Sequence, residues 1–148
     1  LNIRLFLWLP YGVIGDIDTD GHIDNIACFV NANTILIQSC DDEFDDSFER
    51  HKANMYYLNR YASDFDIIEI HQPKTKHING EILAASYINF YIANDVVIMP
   101  SFNDVNDFKA YQIIKKCFPN RIVEQIEVLD LVAGGGGIHC ITMQQPAI

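Results

Sequence analysis

The stretch IDNIACFVNANTILI, residues 23–37, holds two runs of β-forming residues on either side of the asparagine-rich segment 31–33. Asparagine tolerates the positive φ of tight hairpin turns, so this pattern predicts an antiparallel hairpin. Acidic residues follow, and apolar residues then recur at helical spacing, which predicts a helix over about 45–61. The next run, residues 66–73, alternates apolar and polar side chains and predicts a strand that its proline ends.

The same order of elements recurs along the chain. SYINFYIANDVVIMP, residues 86–100, again places two β-forming runs around an asparagine-containing turn; a helical pattern follows, and RIVEQIEVLDLV, residues 121–132, predicts one or two strands. A third copy is expected to begin at GIHCITMQQP near the end of the sequence. The sequence therefore predicts an α/β fold of strand–strand–helix–strand (ββαβ) modules over about 22–73 and 86–128, with a partial module over 129–148.

Repeated modules of this size usually complete one another's cores, so a set that stops partway is expected to be incomplete. The apolar segment 5–10 is too short for a membrane span or a signal peptide, and it is predicted to be a buried strand. Because the chain opens on such a strand and without a methionine, further sequence is expected upstream.

The composition narrows the class of protein. The 148 residues suit one domain, and 49% hydrophobic with 20% charged residues lie close to the average of globular chains, which argues against disorder or a coiled coil. The formal net charge of -10 and a pI near 4.6 repel a phosphate backbone and an anionic bilayer alike. We therefore expect neither nucleic acid nor a membrane as a partner, whereas a cationic small molecule suits this charge.

The cysteines show neither CxxC pairs nor the spacing of a disulfide scaffold, so we predict reduced thiols in a cytoplasmic protein. Cys28 and Cys117 fall in apolar strand and helix patterns and are predicted to be buried. His51, His71 and His77 stand alone in helix or loop sequence and are predicted to be solvated.

The first stretch that could carry chemistry is GDIDTDGHIDN, residues 15–25, which matches the opening of an EF-hand calcium loop. The twelfth position is Ala27, where a bidentate Glu is required, and strand patterns flank the loop, so calcium is disfavoured. The structural alternative is a polar surface turn whose Asp side chains cap their own backbone. His22 and Asp24 lie two apart at the predicted start of a strand, so both are expected to face the same side.

The second is LVAGGGGIHCITMQQP, residues 131–146, in which four glycines precede Ile-His139-Cys140. Glycine lets the backbone approach a ligand closely, but no Lys-Ser/Thr follows, which argues against a phosphate cradle. With His22 and Asp24, Cys140 supplies the components of an activated thiol. A zinc site is a weaker alternative, because its ligands would lack paired spacing. Those ligands would be His22, Asp24, His139 and Cys140.

The second module contributes aromatic residues at strand spacing. Tyr87, Phe90 and Tyr91 are predicted to be core residues, not a platform for a ligand. Asn89 is the polar position among them that could belong to a site.

Together, GDIDTDGHIDN, ASYINFYIAN and GGGGIHCITMQQP resemble motifs of the agmatine deiminase family, also called the bacterial-type peptidylarginine deiminase family, of the guanidine-modifying penteins. The resemblance runs over residues 8–146. It implies a fivefold pseudosymmetric propeller of ββαβ modules around a central site, of which residues 1–148 would be an incomplete, C-terminal part of one catalytic domain. Family members are much longer, and their upstream half normally supplies further carboxylates and a Trp of the substrate pocket.

The resemblance also implies roles for particular residues. Cys140 would be the nucleophile, His22 the general acid/base and Asp24 a carboxylate that holds the guanidinium group. Agmatine would be converted to N-carbamoylputrescine and ammonia through a covalent thiouronium on Cys140, with no metal or organic cofactor. The remaining substrate-binding residues would be Asp18, Asn89, Gly135 and Gly136.

Arginine or peptidylarginine deimination is an alternative of the same class, and an inactive fragment that serves as an interaction module is one of another class. Gly137 and Met143 depart from the usual family residues, and Met143 removes an amide close to Cys140. The chain alone is expected to be weakly active or inactive, because an incomplete clamp would not orient the guanidinium. The open sheet edges of a partial propeller favour association into a homo-oligomer.

Overall fold

The computed structural model describes residues 3, 5–16 and 21–145 of the chain. This part folds into two three-stranded sheets, one two-stranded hairpin and three α-helices. Within it, no helix has the length and apolar character needed to cross a lipid bilayer.

The first sheet follows the predicted order of elements. β1 (Ala27–Asn31) pairs antiparallel with β2 (Thr34–Ser39), and helix α1 (Ser47–Tyr61) connects β2 to its parallel partner β3 (Asp66–His71). The hairpin, helix and strand predicted for this stretch are thereby confirmed. β1 begins later than expected, however, because Ile23–Asn25 forms a turn of 3₁₀ helix.

The second sheet repeats this connectivity. A short strand β6 (Tyr91–Ile92) pairs antiparallel with β7 (Val96–Ser101), and helix α2 (Asp107–Cys117) leads to the parallel strand β8 (Ile122–Glu127). The first β-forming run of this module is therefore mostly irregular, because only its last two residues pair with β7.

The chain beyond β8 is helical, so one strand forms within residues 121–132, where one or two were predicted. The backbone N–H of Leu129 donates to Glu127 Oε1 at 2.8 Å, which turns the chain out of the sheet. A short helix α3 (Leu129–Ala133) follows and ends where the N–H of Gly134 donates to Asp130 O at 3.1 Å.

The apolar segment near the start of the chain is also not the buried strand that the sequence predicted. Leu5 and Trp8 are 61% and 76% exposed. Instead of a strand partner, helix α1 supplies polar side chains: the N–H of Trp8 donates to Tyr57 Oη at 3.3 Å, and the N–H of Tyr11 donates to Asn54 Oδ1 at 3.1 Å. The segment therefore lies along the helix in an irregular conformation.

The stretch predicted to open a third module forms consecutive turns over residues 138–141 and no strand. The N–H of Thr142 donates to His139 O at 3.1 Å, and its Oγ1 donates to the same oxygen at 2.9 Å. Between the two sheets in sequence lies a small hairpin of β4 (His77–Ile78) and β5 (Glu81–Ile82).

The larger of two hydrophobic clusters joins the two sheets. Its fully buried side chains come from β2, β3, β7 and α2, and include Leu36, Ile70, Val97, Met99 and Ile114. Tyr87 and Phe90 also belong to it, which confirms their prediction as core residues, and Tyr91 packs against it. Residues of the two modules are thereby held in one packed core.

The prediction that three histidines are solvated is wrong for His51, whereas the side chain of His71 is 42% exposed. His51 is only 13% exposed, because its Nδ1 lies 3.1 Å from Gln38 O and its Nε2 lies 2.9 Å from Glu69 Oε2. His71 Nε2 lies 3.3 Å from Asp41 Oδ2. His77 is exposed on β4.

Asp104 is a buried carboxylate that contacts the segment between the two modules. Burial alone would raise the pKa of Asp104, but the hydrogen bond from Lys76 at 2.9 Å, with those from the backbone N–H of Asn106 and Lys74, holds this pKa below its usual range. A lowered carboxyl pKa stabilises the fold above the unfolded-state pKa near 4, and this contribution is lost as the pH falls through the folded-state pKa. Lys76→Met should lower the free energy of unfolding by about 1–3 kcal/mol at pH 7.

Urea denaturation of both proteins at pH 7 and pH 3 measures this effect. The difference between Lys76→Met and the wild type should shrink at pH 3, because this pH lies below the unfolded-state carboxyl pKa near 4 and part of the stabilisation is lost there. An equal difference at both pH values would show that Lys76 acts by packing alone.

Candidate active site

Three segments that are distant in sequence meet near the glycine run. Asp24 lies on the 3₁₀ turn before β1, Asn89 lies two residues before β6, and Cys140 lies in the turns after the glycines. Their approach is fixed by Ser86, whose Oγ donates to Asn25 O at 2.7 Å and accepts from the N–H of Ile88 at 3.0 Å. The segment before β6 is thereby attached to the turn that carries Asp24.

Asn89 is the centre of this arrangement. It is only 3% exposed, and its Nδ2 lies 3.1 Å from Asp24 Oδ2 and 3.0 Å from Asn25 Oδ1. Its Oδ1 accepts the backbone N–H of His139 at 2.9 Å. Because the amide uses both its donor and its acceptor, it fixes the two chain segments relative to each other.

Cys140 carries an exposed thiol beside these groups. Its Sγ lies 3.6 Å from Asp24 Oδ2 and 3.8 Å from Asn89 Oδ1, while Asn89 Nδ2 lies 3.5 Å from the sulfur. A thiol at this position can donate to either oxygen, and a thiolate can accept from the amide. The sulfur is thus in contact with both polar residues that sequence analysis selected from the first two modules.

The other three cysteines lie in different surroundings. Burial raises the pKa of Cys28 to about 12, with a further contribution from nearby Cys117. Burial also raises the pKa of Cys117 and of Cys40. These three thiols stay protonated at neutral pH, and Cys140 is the exposed one of the four.

His22 and Cys140 line the same cavity, which has a volume of about 460 Å³. The side chain of His22 is exposed, and its backbone N–H donates to Asp16 Oδ2 at 2.8 Å. His22 and Asp24 were predicted to face the same side by alternation along a strand. This prediction is wrong, because Asp24 lies in the 3₁₀ turn and His22 precedes it. His22 faces the cavity, whereas Asp24 contacts the sulfur.

The glycines allow close approach to the protein's own side chains. A Cβ on Gly136 would lie 3.3 Å from Cys140 Cβ, and one on Gly137 would overlap Asn89 Oδ1. Gly135 has a φ of +97°, a left-handed conformation that side chains disfavour. Gly135 and Gly136 also line the cavity.

The charge of the cavity wall suits a cation. Asp16 and Glu81 line it, and neither Lys nor Arg is among its lining residues in the described part of the chain. Asp18, predicted to bind substrate, lies outside the described residues, as does most of the calcium-like loop. Over the described ranges, no group of three or more His, Cys, Asp and Glu side chains is arranged to hold a metal ion.

The sequence analysis missed the partner of Asp24. His139 Nδ1 lies 2.8 Å from Asp24 Oδ2, closer than any other group recorded at that oxygen. Sequence analysis considered His139 only as a zinc ligand. Its position directly before Cys140 was the available signal, but nothing local indicates which carboxylate it would meet.

Comparison with known proteins identifies the family to which this fold and site belong. The sequence profile of the Porphyromonas-type peptidyl-arginine deiminase family matches residues 1–146. The chain therefore belongs to this family, and the family resemblance predicted from its motifs is confirmed.

Particular relatives refine this assignment. The chain is 39% identical over 173 aligned positions to an agmatine deiminase of Medicago truncatula, an alignment that covers 100% of this chain and 46% of that protein. The solved agmatine deiminase of C. jejuni superimposes with a TM-score of 0.85 at 30% identity, covering 93% of this chain and 41% of that one. For the agmatine deiminase of Enterococcus faecalis, the TM-score is 0.86 at 29% identity, with 98% and 45% covered.

These likenesses confirm the predicted fold class, an α/β structure of the deiminase type. The chain spans 43–46% of the length of the curated relatives it matches.

Proposed function

We propose that this chain carries the nucleophile of an agmatine deiminase, which hydrolyses the guanidinium group of agmatine to give N-carbamoylputrescine and ammonia. The observation that carries the proposal is the contact of Cys140 Sγ with Asp24 Oδ2 at 3.6 Å, beside an acidic cavity. The relatives named as agmatine deiminases support this substrate.

A guanidinium group is a planar cation, so attack at its carbon needs a carboxylate to hold its N–H groups and a sulfur anion to attack. Asp24 and Cys140 supply these two groups side by side. A thiolate next to Asp24 would place two negative charges in contact, and a bound guanidinium neutralises that repulsion. The substrate's own charge therefore favours the reactive form of the sulfur.

The reaction then proceeds in two steps. The sulfur of Cys140 forms a bond to the guanidinium carbon, and the resulting tetrahedral adduct releases ammonia when His22 donates a proton to the leaving nitrogen. In the second step His22 removes a proton from water, which attacks the S-alkylthiouronium carbon. The C–S bond breaks, and the ureido product leaves with Cys140 regenerated.

The other site residues bind the substrate or stabilise the reacting sulfur. Asn89 Nδ2 lies within reach of the sulfur at 3.5 Å and stabilises its anion. Gly135 and Gly136 form part of the substrate wall. We assign Asp18 a place near the substrate from the family motif.

Agmatine is favoured over arginine by the lining of the cavity. Free arginine carries an α-carboxylate that needs a cationic partner, and neither Lys nor Arg lines the described wall. Peptidylarginine lacks that carboxylate, and the family's description supports it as the second candidate. The four free thiols support a reducing, cytoplasmic location.

Covalent labelling tests the proposal. 2-Chloroacetamidine, a cationic amidine that alkylates thiols, should modify Cys140 at least about 10-fold faster than any other cysteine at pH 7.5, because the other three thiols are protonated. Peptide mapping by mass spectrometry identifies the labelled residue.

Agmatine should protect Cys140 from the label, and Cys140→Ala should leave the protein unlabelled over the same time. Protection by a short arginine peptide but not by agmatine would favour the second candidate. Equal labelling of all four cysteines would contradict the proposed site.

A further inference from the structure

The imidazole that contacts Asp24 belongs to His139 and not to His22, the proposed acid/base. His139 Nδ1 lies 2.8 Å from Asp24 Oδ2, and the side chain of His139 is 44% exposed. His139 does not line the cavity that Cys140 and His22 share. Among the described side chains, Asp24 is the one that its ring contacts within hydrogen-bond distance.

The backbone of His139 is held at both of its polar groups. Its N–H donates to Asn89 Oδ1 at 2.9 Å, and its carbonyl accepts the N–H and Oγ1 of Thr142 at 3.1 and 2.9 Å. Since this backbone is fixed, the ring is presented to Asp24 in a defined position.

Asp24 depends on this contact for its orientation. Its Oδ1 is buried and has no hydrogen-bond partner among the described residues, so the carboxylate is held through Oδ2 alone. The groups at Oδ2 are His139 Nδ1, Asn89 Nδ2 and the Cys140 sulfur. His139 Nδ1 is the nearest of these groups, at 2.8 Å.

We propose that His139 is a positioning residue, which orients Asp24 for the guanidinium group; the inference rests on the proposed function. An imidazole that carries a proton on Nδ1 donates to the carboxylate and so fixes the direction of its oxygen. The same oxygen, Asp24 Oδ2, lies 3.6 Å from Cys140 Sγ, so the orientation of this carboxylate decides how a cation is held beside the sulfur.

Two thiol reagents separate the role of Asp24 from the reactivity of the sulfur. 2-Chloroacetamidine is cationic and needs the carboxylate, whereas iodoacetamide is neutral and reports on the thiol alone. The ratio of their second-order rate constants at Cys140 therefore measures how well the site holds a cation.

His139→Phe should lower this ratio about 10-fold, the size expected for losing one hydrogen bond to a charged group. His139→Asn should keep it within about threefold of the wild type, because the amide Nδ2 of asparagine can occupy the place of Nδ1.

The outcomes separate the two proposals. If the ratio in the wild type is no higher than the ratio of the same two reagents with glutathione, the guanidinium site itself is wrong. If the ratio is high in the wild type and unchanged in His139→Phe, the positioning role of His139 is wrong while the site stands. A ratio that is lowered in His139→Phe and retained in His139→Asn supports the inference.

Discussion

Asp24→Asn is expected to slow the labelling of Cys140 by 2-chloroacetamidine about 100-fold, while the rate with iodoacetamide changes by no more than about threefold. The carboxylate lies 3.6 Å from the sulfur, and it is the negative group in contact with the site of attack. Asparagine has nearly the same shape, and its oxygen can still accept from His139. The substitution therefore removes the charge and retains the packing.

Glu43→Gln is the matched control, because it removes one negative charge from an exposed loop that does not line the cavity. It should leave both rates within about twofold, since solvent and salt screen a distant surface charge. If Glu43→Gln slows the cationic reagent as much as Asp24→Asn does, the net charge of the protein would explain the preference. A similar fall with both reagents in Asp24→Asn would mean that the thiol itself was altered.

Asn89→Leu is expected to lower the free energy of unfolding by about 2–4 kcal/mol and to remove the preference of Cys140 for the cationic reagent. Leucine has a similar size but offers no polar atom, so the buried Asn25 Oδ1 would lose its partner and the backbone N–H of His139 would keep only its longer contact, at 3.4 Å, with the carbonyl of residue 89. An unsatisfied buried polar group is costly, and the link between the two chain segments is weakened as well. Urea denaturation and the two-reagent ratio measure the two effects.

Asn89→Asp distinguishes the roles of the two amide atoms. It keeps an oxygen for the N–H of His139 but places a second carboxylate beside Asp24 and the sulfur. The loss of stability should be at least as large as in Asn89→Leu at pH 7 and smaller at pH 4, where the new carboxyl takes up a proton. Full stability of Asn89→Leu at pH 7 would contradict the central place of Asn89.

The elements that follow from local pattern could be predicted from the sequence. The hairpin of β1 and β2 and the helices α1 and α2 depend on alternation, helical spacing and turn residues, all of which lie within the segment itself. The prediction for segment 5–10 was wrong, because its hydrophobic residues suggested a strand, whereas the N–H of Trp8 donates to Tyr57 of α1. Helix α3 was not predicted, because the contact that turns the chain out of the sheet is a single hydrogen bond, from the N–H of Leu129 to the side chain of Glu127.

The site likewise contains residues that local sequence indicates and contacts that form only in the folded protein. Cys140, Asp24 and Asn89 could be selected because each is a polar or reactive residue that stands out from its sequence surroundings. The contact between His139 and Asp24 could not be predicted from spacing, because it forms only when the two modules pack together. Likewise, Gly137 was noted as a departure in sequence, but its close fit against Asn89 is a property of the fold.

The sequence separations within the site have a consequence for how the protein is made. Asp24 and Asn89 are 65 positions apart, and Asp24 and Cys140 are 116 apart, so neither module alone can assemble the constellation. Closing such large loops carries an entropic cost that only a nearly finished core can offset. A newly synthesised or refolding molecule should therefore regain its helices and native fluorescence first, and become chemically competent last.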